Sequence, residues 1–342
     1  MESILVLTHA DDTGAELTKA SLEVVSAGTQ LAGRLGASLA IGILAADPQA
    51  AAATLSSTGA RLLCVSGEAF ISPRYSTDAA ACEALCRAAQ ATIVLAPASS
   101  RFMRVAAGVA YRLGGFIDTH ISALAGTSSI EASRWFYRQR VEAVLSRDAR
   151  PWFLLLDPGT HAAFAGESTP AQVEQVAVQL QPLRTTVNGL RCPSLDAQTI
   201  RPDARLLFVA GAGWTKKQPD GQTHVPQAGE LILHFLCAAG ASLGSSKSLV
   251  DQGGEGHSVL PFLTHLNQVG QTGATPRHPK GLATCCHGEE PHVVGWRFIA
   301  ERRAVSLDPN CGWARGKADV VYVADAFQVM AKLNALIENE SA

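Results

Sequence analysis

The chain has 342 residues, 47% of them hydrophobic and 17% charged, with a formal net charge of −2. That is too long for one core of ordinary size and is the composition of a well-buried globular protein, so two domains are expected. Dispersed Lys and Arg exclude an electrostatic nucleic-acid footprint and a polybasic membrane patch.

The most apolar region, 31–55, is interrupted by Arg34, Asp47 and Pro48, so no membrane insertion is expected. MESILVLTHADD carries no basic segment and turns acidic at once, which reads as a cytoplasmic chain without a signal peptide. The eight cysteines form no CxxC pair. Cys82 and Cys86 stand one helical turn apart as buried structural thiols. Cys285-Cys286-His287 lacks the spacing to chelate one ion, so no metal is expected.

In chain order, ILVLTH (4–9) is a short apolar strand, followed by an Ala/Leu-periodic helix to about Arg34. SLAIGIL (38–44), RLLCVSG (61–67) and ATIVLAP (91–97) are further buried strands. Helical stretches at 78–90 and 101–114 lie around the last of them. Continuous apolar strands alternating with helices predict a parallel sheet covered on both faces. The runs 133–146 and PWFLLLD (151–157) read as a hairpin closing that sheet.

Residues 158–204 lose periodicity. The expected division is a domain over 1–185, a linker over 186–204 and a second domain over 205–342. RLLFVAGAGW (205–214) restarts the strand pattern, and a helix covers about 226–240. LATCC (282–286), AVSL (304–307) and DVVYVA (319–324) add strands, and Asp325 is placed to cap a closing amphipathic helix. The fold class is therefore α/β, with two doubly wound, mainly parallel-sheet domains.

Ligands of such sheets bind at the carboxyl ends of the strands. Three glycine-bearing stretches fall there: VAGAGW (209–214), LGSSKS (243–248, opening a loop to 254) and VGQTG (269–273). Glycine lets backbone amides approach a phosphate, serine adds hydroxyl donors and Lys247 adds charge. None of the three is GxGxxG or GxxxxGK[ST], which argues against a standard dinucleotide fingerprint, a P-loop or a nicotinamide dehydrogenase.

GSSKSLVDQG (244–253), QVGQTG (268–273), CCHGEEPH (285–292), LDPNCGWARGKADVVYVAD (307–325) and, nearer the start, residues 95–124 occur in an order that resembles the electron-transfer flavoprotein α subunit family. QVGQTG matches that family's flavin loop letter for letter. The resemblance implies FAD in the second domain, whose fold would bind a flavin nucleotide. It also implies an obligate heterodimer with a β-like subunit docked on the first domain, and electrons supplied by a partner flavin dehydrogenase.

It further implies that Val269, Gly270, Gln271 and Thr272 line the isoalloxazine. Ser246 and Lys247 would face phosphate and flavin, His287, Gly288, Glu289 and His292 would form the next loop, and Ser306 and Asp325 would lie at the adenosine end. His292 and Lys247 would tune the flavin potential. Several positions depart from the family pattern. Gly213 and Lys247 stand where it has arginines, and Ser306 stands where it has asparagine. His287, Glu289, Glu290 and Pro291 replace Ser, Ala, Ile and Gln. A redox-silent, structural subunit of a larger oxidoreductase is the alternative these departures allow.

Overall fold

The computed structural model describes residues 2–10, 16–136, 141–189, 200–201, 204–252, 258–270, 273–286, 295–296 and 298–341. The chain divides into two compact units, Met1–Gly189 and Leu190–Ala342. Each is an α/β unit with its own mainly parallel sheet, the class the alternation of strands and helices implies.

The first unit runs β1 (Ser3–His9), α1 (Lys19–Leu35), β2 (Ser38–Ala45), α2 (Gln49–Leu55), β3 (Arg61–Ser66), α3 (Tyr75–Ala88), β4 (Ile93–Pro97) and α4 (Ser100–Arg112). There follow β5 (Phe116–Ala125), β6 (Glu131–Phe136), β7 (Val141–Leu145), β8 (Trp152–Leu156) and the short β9 (Glu174–Gln175). They form one sheet in the order β7-β6-β5-β8-β4-β1-β2-β3-β9. Strand residues alternate between two cores, as a doubly covered sheet requires. Ile4 and Val6 pack with α1 and α2 on one face, and Leu5 and Leu7 pack with α3 and α4 on the other. Cys82 and Cys86 lie in the second core, where burial pushes both thiols well up, so neither is a ready nucleophile.

The stretch 133–157 differs from expectation. The hairpin is formed by β6 and β7 alone, antiparallel and at the edge of the sheet. PWFLLLD instead enters the middle of the sheet as β8, parallel to both β4 and β5. Its side chains explain why. Trp152, Leu154 and Leu156 fill one core while Phe153 and Leu155 fill the other, and only a strand covered on both faces can bury all five.

The first unit also buries charge. Asp78 accepts two hydrogen bonds from Arg101, at 2.7 and 3.0 Å. Asp118 accepts from Arg147 at 2.6 and 3.0 Å, from the Trp152 indole at 2.9 Å and from Arg134 at 3.4 Å. Burial alone would raise the Asp118 carboxyl. The hydrogen bonds from Arg147 and Trp152, with the Arg147 and Arg134 charges, outweigh it and hold the group below its ordinary value.

The second unit is smaller: β10 (Leu206–Ala210), α5 (Val225–Ala239), β11 (Ser242–Ser245), α6 (Lys247–Asp251), β12 (His278–Cys286), β13 (Ile299–Ser306), α7 (Gly312–Lys317), β14 (Val320–Val323) and α8 (Ala326–Ser341). All strands of its sheet run parallel, in the order β11-β10-β12-β13-β14. Phe208, Leu243, Ile232, Phe235 and Met330 form one core. Leu207, Val209, Val269, Trp296 and Trp313 form the other, with the Trp296 and Trp313 rings stacked 4.9 Å apart. LGSSKS, expected as a loop, is the end of β11, a cap and the start of α6. Gly244 and Ser242 mask a strand that owes its place to pairing with β10, not to its own β-propensity.

Candidate functional site: the carboxyl edge of the second sheet

Parallel strands bring all five carboxyl ends to one edge of the second unit. Neighbouring ends are tied by backbone bonds: Gly211 N donates to Thr284 O at 3.0 Å, Ser246 N to Ala210 O at 2.8 Å, and Ala324 N to Ser306 O at 3.1 Å. The QVGQTG segment joins the same edge, since Val269 N donates to Ser245 O at 3.0 Å. Gly244 makes room for it: a Cβ there would stand 2.6 Å from Val269 Cγ2.

Gly270 has φ 88°, a left-handed conformation that favours glycine. The chain after the CCHGEEPH stretch returns to this point. Gly295 N donates to Val269 O at 3.3 Å, and a Cβ on Gly295 would lie 2.4 Å from Gly270 Cα. Two stretches distant in sequence thus cross with no room for a side chain.

The expected site residues fall into three groups. Val269 and Gly270 are at the edge, but the Val269 side chain is buried in the core under the sheet, so only its backbone shapes the site. Ser246, Lys247, Ser306 and Asp325 also stand at strand ends, and each has a local structural partner. The Ser246 hydroxyl accepts from Leu249 N and caps α6. Ser306 Oγ donates to Asp308 O at 3.2 Å and accepts from Asp308 N at 3.1 Å. Asp325 accepts from Gln328 N at 2.9 Å and caps α8, as the sequence predicts.

Lys247, half-exposed, holds its ammonium 3.4 Å from Asp251, one turn along α6. The third group, Gln271, Thr272, His287, Gly288, Glu289 and His292, lies outside the described residues.

Gly213, where the resembled family has arginine, sits in the 3-10 turn Ala212–Thr215. The next residue, Trp214, is fully buried. Its indole donates to Thr284 Oγ1 at 2.9 Å and packs on Phe327 at 4.6 Å between ring centres.

Sequence reasoning passed over several buried polar groups at the same edge. Thr215 donates to Gln252 at 2.6 Å. Thr284 accepts from Trp214. Ser245 Oγ is fully buried and has no hydrogen-bond partner among the described residues. A buried hydroxyl left unpaired costs about 1–3 kcal/mol, so this one marks a place where a ligand can repay that cost. Two adjacent serines at the end of an apolar run were the available signal. The strand ending between them, which assigns the first to the edge and the second to the cap, was not visible.

Fold and edge together describe a two-unit, doubly wound α/β protein whose second sheet gathers neutral donors and acceptors beside a glycine crossing. The family model for the electron transfer flavoprotein domain matches residues 6–181, more than half of the chain, and the chain belongs to the electron transfer flavoprotein family. The matched residues reach from β1 past β9 and so lie in the first unit. Proteins of this family bind flavin and generally work as heterodimers. A comparison with curated proteins finds no match.

Proposed function

We propose that the chain is an α-like subunit of a cytoplasmic electron transfer flavoprotein, holding FAD at the carboxyl edge of its second unit beside a β-like subunit. Electrons would come from a dedicated dehydrogenase acting on an acyl-CoA or a methylated amine, and pass toward the respiratory chain. The carrying observation is the unpaired, fully buried Ser245 hydroxyl on the edge where Gly270 and Gly295 cross. An edge of neutral hydroxyls and amides with a side-chain-free crossing fits a flat heterocycle and its ribityl and phosphate chain.

Bound FAD supplies reversible electron acceptance and release; the protein positions it and sets its electrostatics. Ser245 and the Gly270 bend would hold the nucleotide, and Gln271, Thr272 and His292 are the proposed contacts to the ring. Lys247, braced by Asp251, places positive charge at the start of α6, where added electrons on a nearby ring are stabilised.

A second reading, a redox-silent subunit that holds an oxidoreductase together, draws on two observations. Gly213 supplies no charge to the edge, and the one charge of Lys247 is shared with Asp251. Purification with the β-like partner separates the two. The flavin reading expects a yellow, equimolar complex that releases FAD on denaturation, and a Thr272→Val change that shifts the flavin spectrum and potential. A colorless stoichiometric complex would establish the structural reading instead.

A further inference from the structure

Beyond β9 the first unit continues as an extended stretch without helix, and residues 181–187 pass over the start of α3. Between them lies a cavity of about 710 Å³, within the range of small-molecule sites. Three arginines line it, Arg74, Arg104 and Arg184, and no carboxylate does among the described residues. None of the three forms an ion pair with a described residue. Among the described residues Arg104 donates only to the Pro73 carbonyl, at 3.1 Å, and Arg74 Nε is buried without a partner.

The contrast with the neighbouring guanidiniums is sharp. Arg101 is neutralised by Asp78 at 2.7 Å, while Arg87 and Arg112 share Glu83 at 2.8 and 3.5 Å. Uncompensated charge is therefore concentrated in this cavity. Two further features point the same way. Arg74 is the N-cap residue of α3, and its own side chain makes no capping bond. Asp78 in the first turn accepts the Arg74 backbone amide at 3.2 Å and pairs with Arg101, so the Arg74 guanidinium is left over at the helix start beside Tyr75 and Ser76. The Tyr75 ring, 42% exposed, lies against Gly108, where a Cβ would stand 2.2 Å from the phenol oxygen.

We propose that this cavity is an organic-phosphate site, taking a nucleoside diphosphate or a phosphorylated metabolite of similar size and charge. The phosphates would lie on Arg74, Arg104 and Arg184, whose planar forks suit phosphate oxygens. The planar or apolar part would lie toward Tyr75 and Leu183. The site is independent of the flavin edge, since all its residues belong to the first unit.

Calorimetric titration of the full-length protein with ADP, inorganic pyrophosphate and adenosine tests it. ADP and pyrophosphate are expected to bind, more weakly as salt is raised, with adenosine at least about tenfold weaker. Arg104→Ala and Arg184→Ala change exposed side chains and should leave the fold intact by circular dichroism. Each is expected to weaken ADP about tenfold or more, and Arg104→Lys to recover part of the loss. Absence of binding by both phosphates overturns the proposal. So does an affinity unchanged in both alanine variants, which places the ligand elsewhere. An oligoglutamate peptide that binds more tightly than ADP would make the cavity a surface for an acidic protein segment, and also overturns it.

Discussion

The two units bury polarity in opposite ways. In the first, Glu23, Asp78, Arg101 and Asp118 are buried charges, and Asp78, Arg101 and Asp118 are locked in pairs or a small network. In the second, no Asp, Glu, Lys or Arg is buried among the described residues. Its buried polar groups are hydroxyls, amides and one imidazole, and Thr215, Ser245, Ser246, Thr284 and Ser306 stand at or beside strand ends. Paired charges fix geometry but leave little capacity for a ligand, because their partners are already taken. Neutral groups can wait unpaired at a cost of about 1–3 kcal/mol and then bond to something else. The buried polar groups of the first unit thus serve as scaffold, while those of the second include a hydroxyl left open to a ligand such as the proposed flavin.

The largest test of that contrast is Asp78→Ala. It leaves Arg101, 7% exposed, without its counter-charge and should destabilise the first unit by about 3–5 kcal/mol. Hydrogen exchange on the variant should show lost protection in α3 and α4, with the second unit unchanged. Trp214→Phe comes next. The ring keeps most of its packing, but Thr284 loses its donor in a buried setting, for about 1–3 kcal/mol in urea unfolding of the second unit.

Asp118→Asn should cost about 1–2 kcal/mol at neutral pH, a figure reduced because Arg147 is partly solvated. Its pH signature is specific. The Asp118 carboxyl is held below its ordinary value of 3.8, so its contribution is complete above that pH and fades as pH falls through the folded value. Wild type and variant should therefore differ constantly down to about pH 4 and converge below it. A gap that widens in acid would contradict the network.

The smallest effect on folding belongs to Ser245→Ala. Removing an unpaired buried hydroxyl relieves its desolvation cost but leaves a small void. These opposing effects should keep the net change in stability below about 1 kcal/mol while FAD weakens about tenfold. Equal loss of both would make Ser245 part of the scaffold and erase the distinction between the units.

Particular residues show how much of this was legible in the chain. The continuous apolar runs in ILVLTH and ATIVLAP made β1 and β4 readable, because each strand's two faces meet two separate cores. Asp325 was readable as a cap because capping is local, a side chain bonding an amide three residues on. PWFLLLD was misplaced, since an apolar run states that it is buried on both faces but not between which strands. Ser245 was missed because its hydroxyl is left unpaired by the arrangement of other segments, a property that no window around it contains.

Composition and periodicity by themselves determined an α/β chain of two parallel-sheet units, and the QVGQTG letters pointed to the flavoprotein family. Those are properties of local runs, set by which residues alternate and which cap or turn. Tertiary structure decided the rest: the crossing of Gly270 with Gly295, the turn of Val269 into the core and the gathering of uncompensated arginines under residues 181–187. Each depends on segments tens of residues apart meeting at van der Waals distance, where sterics and charge are settled by the neighbour and not by the sequence around either partner.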